Sequence, residues 1–284
     1  MNAAASDPRD RALRLMRLIA TLLVVLFFVL PMLWLLASAV RPSSETLGPA
    51  ASLSLRAFWP HGFTWDNFSN MVDSGFLRNL LNSVVVAAVT VVVGLAVCSM
   101  AAFALAAIDF PGRGLVFGVV IVSFLIPFEA IAIPLSQAFR DWGLANSYPG
   151  LILPGVGNGL AIFTLRQFFL GVPRELREAA EMDGAGWWRI YWQIYLPLSR
   201  SAMVGAGLIL FLFQWQSFLW PVLVVDSDNM DLAPVTLAKN FGAFTSDYGR
   251  VFAEAVAISI IPAVLLLIFQ RYFVASLKTS GSKG

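Results

Sequence analysis

The chain has 284 residues, of which 58% are hydrophobic, and its charges are 19 Lys plus Arg against 17 Asp plus Glu. Soluble domains average about 25% charged residues, so an ordinary soluble protein is excluded, and a net charge of +2 spread over loops without a basic patch gives nucleic acid no surface to bind. A single cysteine, Cys98, and a single histidine, His61, exclude an internal disulfide and leave no set of soft ligands for a metal.

The opening stretch MNAAASDPRDRALRLMRLIATLLVV has the basic-then-apolar order of a secretory signal, and Ala37-Ser38-Ala39 imitates a cleavage site. Leu18 to Val40 is nevertheless 23 residues without a charge, whereas a signal core has about 7 to 15. The expectation is an uncleaved first anchor following a cytoplasmic segment at 1–17. Apolar runs recur in the approximate ranges 80–108, 115–135, 148–170, 202–225 and 251–270. Each exceeds the roughly 18 residues that cross a bilayer core as a helix. In hydrocarbon the backbone must satisfy its own hydrogen bonds, and none of these runs has the alternation of a barrel strand. The predicted fold class is all-α integral membrane with six transmembrane helices in one domain, 18–277, and a short tail at 278–284. Pro31, Pro127, Pro134, Pro154 and Pro262 are expected to kink helices rather than end them.

Orientation follows from the basic residues. With the N-terminus inside, twelve of the 19 Lys and Arg fall on cytoplasmic segments, six on outer ones and Arg166 within the fourth run. Both termini are therefore expected in the cytoplasm. The first outer loop, about 41–79, is rich in Pro, Ser and aromatics and suits an interfacial cap. The outer loop after the fifth run, Asp226 to Arg250, carries Asp226, Asp228, Asp231 and Asp247 and reads as an acidic, outward-facing surface.

Between the fourth and fifth runs lies 171–201, dense in charge and tryptophan. Pro173 suits the first helical position, Glu175 favours the positive end of the helix dipole, and Arg174/Glu178 and Arg177/Glu181 stand at i,i+4. A short helix to about Met182 follows, broken by Asp183-Gly184. Beyond it Trp187, Ile190, Tyr191 and Ile194 form an apolar stripe that predicts a second, amphipathic helix ending at Leu196-Pro197. This segment is either a solvated loop with an interfacial helix or a knob for a soluble partner; Ala179 and Ala180 beside Glu178 would let another surface approach closely.

The stretch EAAEMDGAGWWRIYWQIYLP resembles the EAA loop of ABC-importer permeases, with Glu178, Ala179, Ala180, Gly184, Ile194, Leu196 and Pro197 matching in order and spacing. RNLLNSVVVA, AAFALAAIDFPGR, IPFEAIAIPL, GLANSYPGLILP and QFFLGVPRELREAAEMDGAGWW extend the resemblance to the carbohydrate-importing, maltose-type permeases over about residues 13 to 277. FQWQSFLWPVLV departs from it, because Gln216 follows Trp215 where that branch commonly has Asn. The resemblance implies a type I importer permease forming half of a pore with a related permease. Its cytoplasmic loop would seat in a separate ATPase subunit through Glu178, Ala179, Ala180, Asp183, Gly184 and Pro197, and an extracytoplasmic solute-binding protein would deliver a sugar-like solute. No phosphate-binding G-x-x-x-x-G-K-[ST] occurs in the chain, so ATP and Mg are expected on the partner and no cofactor here.

Polar side chains within spans are costly and hence functional candidates. Asn158 and Gln214 fall near mid-membrane, Gln216 slightly further out, and Glu129 and Glu254 nearer the outer face. The expected solute path comprises Asn158, Gln214, Trp215, Gln216 and Glu129, since amides beside aromatic faces suit a polyhydroxylated solute. Interhelical packing by the same amides is the competing reading. The same fold could import a glycerophosphodiester, an amino sugar or a polyol. An ion-driven transporter or a membrane-embedded enzyme are readings of other classes, and neither explains 177–198.

Overall fold

The computed structural model describes residues 8–45, 58–59, 62–242 and 247–281, with side chains placed among them between Leu13 and Gln270. His61 and the ends of the chain, 1–7 and 282–284, lie outside the described residues. Regular structure among those described is entirely helical. The helices are α1 (Pro8–Ala39), α2 (Asp66–Asp73), α3 (Phe76–Ala107), α4 (Arg113–Leu125), α5 (Phe128–Asp141), α6 (Tyr148–Val156) and α7 (Gly159–Leu170). They continue as α8 (Arg174–Met182), α9 (Trp187–Ile190), α10 (Leu196–Leu198), α11 (Arg200–Trp215), α12 (Leu219–Val224), α13 (Ala233–Asn240) and α14 (Tyr248–Gly281).

Three helices, with spans Leu13–Ala39, Phe76–Ala107 and Tyr248–Gln270, are long and apolar enough to cross a membrane unaided, and the number reaches six if each of three bent pairs is one span. The third predicted run is not one helix. α4 and α5 meet at 98°, because Pro127 pushes Ile126 into the extended region at φ −75°, ψ 121°. α4 alone has 13 residues, a rise of about 20 Å against a hydrocarbon core of about 30 Å. Pro31, Pro134, Pro154 and Pro262, by contrast, sit inside continuous helices. The fourth run bends by 41° at Gly157-Asn158, the third bent pair is Trp187–Leu198 with α11 at 85°, and the fifth run stops at Trp215, resuming as the short α12.

The chain divides into two units. The larger, Phe76–Lys239 with Ile258–Gly284, is built on α3. Val86, Thr90, Gly94, Cys98 and Ala102 recur every four residues on its buried face. This is a ridge of mostly small side chains into which α6, α7 and α11 pack closely, as membrane helices do in the absence of a hydrophobic drive between them. At one end Phe103, Leu165, Phe169, Ile190, Tyr191 and Tyr195 form the core; at the other Phe139, Leu151, Trp220, Val224 and Leu232 do. The Trp220 indole N–H donates to the Gly150 carbonyl at 3.0 Å.

The smaller unit, Met1–Gly75 with Asn240–Ala257, is closed by a polar clasp. Buried Asn67 on α2 donates to the carbonyls of Ala39 and Arg41 at 2.8 and 2.7 Å, satisfying acceptors at the end of α1. Ser43 Oγ donates to Asp247 Oδ1 at 2.8 Å, and that carboxylate caps α14 by accepting from Arg250 N at 3.1 Å. Trp34 meets Phe252 edge-on at 5.0 Å.

Candidate coupling surface and solute route

α8 starts at Arg174, with Pro173 as its cap at ψ 132° rather than its first helical residue. All its residues are exposed or half-buried, Met182 reaching 88% exposure. Glu178, Ala179 and Asp183 face out, and Ala180 is half-buried. Gly184 terminates the helix in the left-handed region at φ +75°, with nothing within 4 Å of where a Cβ would lie. Glycine is therefore required there by backbone conformation and not by crowding. The Arg177–Glu181 ion pair forms at 3.5 Å, whereas the expected Arg174–Glu178 pair is not made.

Three arginines fasten this end of the unit to the C-terminal end of α3 and the residue that follows it. Arg166 Nε donates to Leu105 O at 3.1 Å, Arg177 Nη1 to Ala107 O at 2.9 Å and Arg113 Nη1 to Ile108 O at 3.2 Å. A helix C-terminus leaves carbonyls unsatisfied and carries partial negative charge, so guanidinium groups belong there. Arg166 also lies 3.8 Å over the Phe117 ring. Through Arg177, α8 is bonded directly to α3.

The second helical stretch runs further than expected, through Pro197 to Leu198, because a π turn at Tyr191–Tyr195 joins α9 to α10. Pro197 is the second residue of α10, directly after it. Its buried stripe is Ile190, Tyr191 and Tyr195, with Ile194 half-buried and Trp187 largely exposed. The Tyr191 and Ser99 hydroxyls share a hydrogen bond of 2.7 Å, and Phe103 packs against Tyr191 and Tyr195 at 5.2 and 4.9 Å. Beside α8 a hollow of about 120 Å³ is lined by Ala180, Asp183, Ala185, Arg189, Ile190, Gln193 and Ile194.

The route candidates separate into two groups. Gln214 and Trp215 differ from the expectation, since both are buried inside the chain. Thr90 Oγ1 donates to Gln214 Oε1 at 3.4 Å, and the amide fills the space left by Gly155; Trp215 stacks on Phe211 at 5.4 Å. Gln216 and Glu129 are exposed and Asn158 is half-buried. Each of these three sits at a helix break: Gln216 where α11 stops, Glu129 in the first turn of α5, and Asn158 capping α7 by accepting from Ala161 N at 2.9 Å.

The acidic loop is less free than its composition suggests. Arg140 holds Asp226 through two bonds of 2.9 and 3.2 Å, which keeps the Asp226 carboxyl below the usual carboxylate range. Lys239 bonds buried Asp231 at 2.6 Å and Asp228 at 2.9 Å, and these bonds raise its ammonium above the usual lysine range. Asn82 on α3 donates to the carbonyls of Asn229 and Asp231 at 2.9 and 3.1 Å and accepts from the Tyr148 hydroxyl at 2.9 Å. In the smaller unit Asp247 belongs to the clasp, and Glu254 is fully buried with Asn240 Nδ2 3.0 Å from both its oxygens. Asn67 and Asn82 escape a sequence reading, because an Asn near a helix start signals a cap and not the loop carbonyls it ends up binding.

Residues 94–279 match the family described as binding-protein-dependent transport system inner membrane component. The arabinooligosaccharides transport system permease protein AraQ of Halalkalibacterium halodurans is 37% identical over 259 residues, 90% of this chain and 91% of that protein. The sn-glycerol-3-phosphate transport system permease protein UgpE of Yersinia pestis is 34% identical over 231 residues, 78% of this chain and 81% of that protein. A chain of a bacterial ABC transporter involved in the import of the acidic polysaccharide alginate has the same fold, with a TM-score of 0.81 at 20% identity over 94% of this chain and 98% of that one. By this sequence match, the chain belongs to the family of inner membrane components of binding-protein-dependent transport systems and is a multi-pass membrane transport subunit, not an enzyme.

Proposed function

We propose that the chain is a type I permease subunit of an ATP-driven importer of an oligosaccharide or sugar-like solute. Paired with a related permease, it forms half of the pore, and both termini face the cytoplasm. α8 seats in a separate ATPase subunit, and an extracytoplasmic binding protein delivers the solute at the opposite face. The observation that carries this reading is α8 itself: a polar helix presented outward, ended by Gly184, and bonded at its base to α3 through Arg177. A load on such a helix passes into the longest buried helix of the unit. Glu178, Ala179, Ala180, Asp183 and Gly184 form the contact, and Pro197 lies in the stiff segment behind it.

Asn158, Gln216 and Glu129 line the proposed route. Amides and one carboxylate suit hydroxyl groups better than an anion, which favours a neutral carbohydrate over the glycerol phosphate of the UgpE-like relatives. The test is site-directed crosslinking in native membranes from Glu178→Cys and Met182→Cys. A crosslinked ATPase is expected from both, and capture of none would sink the coupling assignment.

A further inference from the structure

Trp187–Leu198 meets α11 at 85° with only Ser199 between them. α11 is an apolar helix opening a membrane run, and a segment at 85° to a helix that runs along the membrane normal would lie in the plane of the bilayer surface, where hydrocarbon gives way to headgroups. The inward side of the segment is fixed by Ile190, Tyr191 and Tyr195 in the protein core. Trp188 and Trp192, one turn apart and edge to face at 5.8 Å, are 62% and 53% exposed. Neither lines the hollow beside α8; that flank is taken by Arg189 and Gln193, joined at 2.9 Å. The segment thus has a polar flank toward α8 and an aromatic flank away from it, with exposed Arg200 just beyond its C-terminal end.

We propose that Trp188 and Trp192 seat this segment in the headgroup layer of the leaflet beside α8, with Arg200 on the phosphate of anionic lipid. Indole combines a flat apolar body with one N–H donor, which suits a boundary that is apolar on one side and wet on the other. Arginine beside it adds attraction to an anionic surface. The segment is then held on both sides, by the tyrosines within the bundle and by lipid outside, and α8 works from a base kept at constant depth. The inference rests on the proposed function only for which leaflet is meant.

The test uses the whole importer reconstituted in vesicles of phosphatidylethanolamine and phosphatidylglycerol, in a Cys98→Ser background, with a nitroxide at Trp188→Cys or Trp192→Cys. Collisions with oxygen are expected to exceed those with a water-soluble nickel chelate at both positions, and the reverse is expected at an Asp109→Cys control, whose side chain is exposed in the loop after α3 and outside the proposed ATPase contact. Dominance of the nickel chelate at 188 and 192 would overturn the proposal by placing the strip in water. Low collision rates with both reagents would overturn it by placing the strip under another protein. A second measurement leaves the fold intact: the Trp188→Phe, Trp192→Phe double variant should lose a large part of the tryptophan quenching by lipid brominated near the headgroup, and unchanged quenching would refute the seat. A lipid-seated strip beside an α8 that crosslinks to no ATPase would sink the coupling reading and leave this one standing.

Discussion

Gln214 shows how one buried amide can be read two ways. Its depth in the chain suggests a solute contact, yet its oxygen lies 2.6 Å from where a Cβ on Gly155 would be, with Thr90 Cγ2 at 2.8 Å. Gly155→Ala is therefore expected to lower stability by about 1–3 kcal/mol through overpacking. Gln214→Ala in the same chain should recover part of that loss, and strict additivity in thermal unfolding would refute the packing account. Gln214→Ala alone should leave the transport KM in place while Gln216→Ala raises it. Lys239 makes a prediction of the opposite kind, about charge. Its folded pKa is raised, so the stability it lends the loop is complete below the ordinary lysine value of about 10.4 and is lost as pH rises through the higher folded value. Limited proteolysis of 226–240 should accelerate over that alkaline window, and Lys239→Met should be cleaved readily on both sides of it.

At the scale of elements, the coupling segment depends on how α8 is fixed at both ends. Arg177 reaches Ala107 O with one nitrogen and Glu181 with another, a geometry that the single ammonium of lysine cannot reproduce. Arg177→Lys is expected to reduce solute moved per ATP several-fold with little change in ATPase binding, which reconstituted transport and hydrolysis assays measure together. Gly184→Ala forces a left-handed alanine, at about 1–2 kcal/mol, and should impair transport more than Gly184→Asn, since asparagine tolerates that region. Equal transport by both variants would show that the turn is not needed in its left-handed form. The existence of these elements was legible in the charge spacing and the Asp183-Gly184 break. The π turn was not, because nothing in YWQIY distinguishes a wide turn from an α-helical one until its tyrosines find Ser99 and Phe103.

For the molecule as a whole, the proposed orientation puts Arg113 and Arg174 on one side of the membrane and Arg140 and Lys239 on the other. Cysteines at these four positions should be blocked by an impermeant maleimide in two groups, 113 with 174 from the cytoplasmic side and 140 with 239 from outside. Any other grouping would overturn the topology. Hydrophobic run length determined which parts of the chain enter the membrane, because the cost of leaving a backbone polar group unsatisfied in lipid allows little else. Six residues of local pattern, Glu178 to Asp183, with Gly184 behind them, were enough to mark an exposed helix and its end.

What sequence by itself determined here is the set of properties that depend on neighbours along the chain: apolar length, helix ends, the left-handed glycine, the bias of basic residues. Tertiary structure alone decided which polar groups are occupied. Gln214 was drawn into packing against Thr90 of α3 and Gly155 of α6, Asp226 and Asp231 were tied by Arg140 and Lys239, Asn158 was used to cap α7, and Gln216 and Glu129 were left exposed at the helix breaks. The reason is physical: a buried polar atom must find a partner, and that partner lies on another helix whose approach is fixed by ridge and groove rather than by sequence distance.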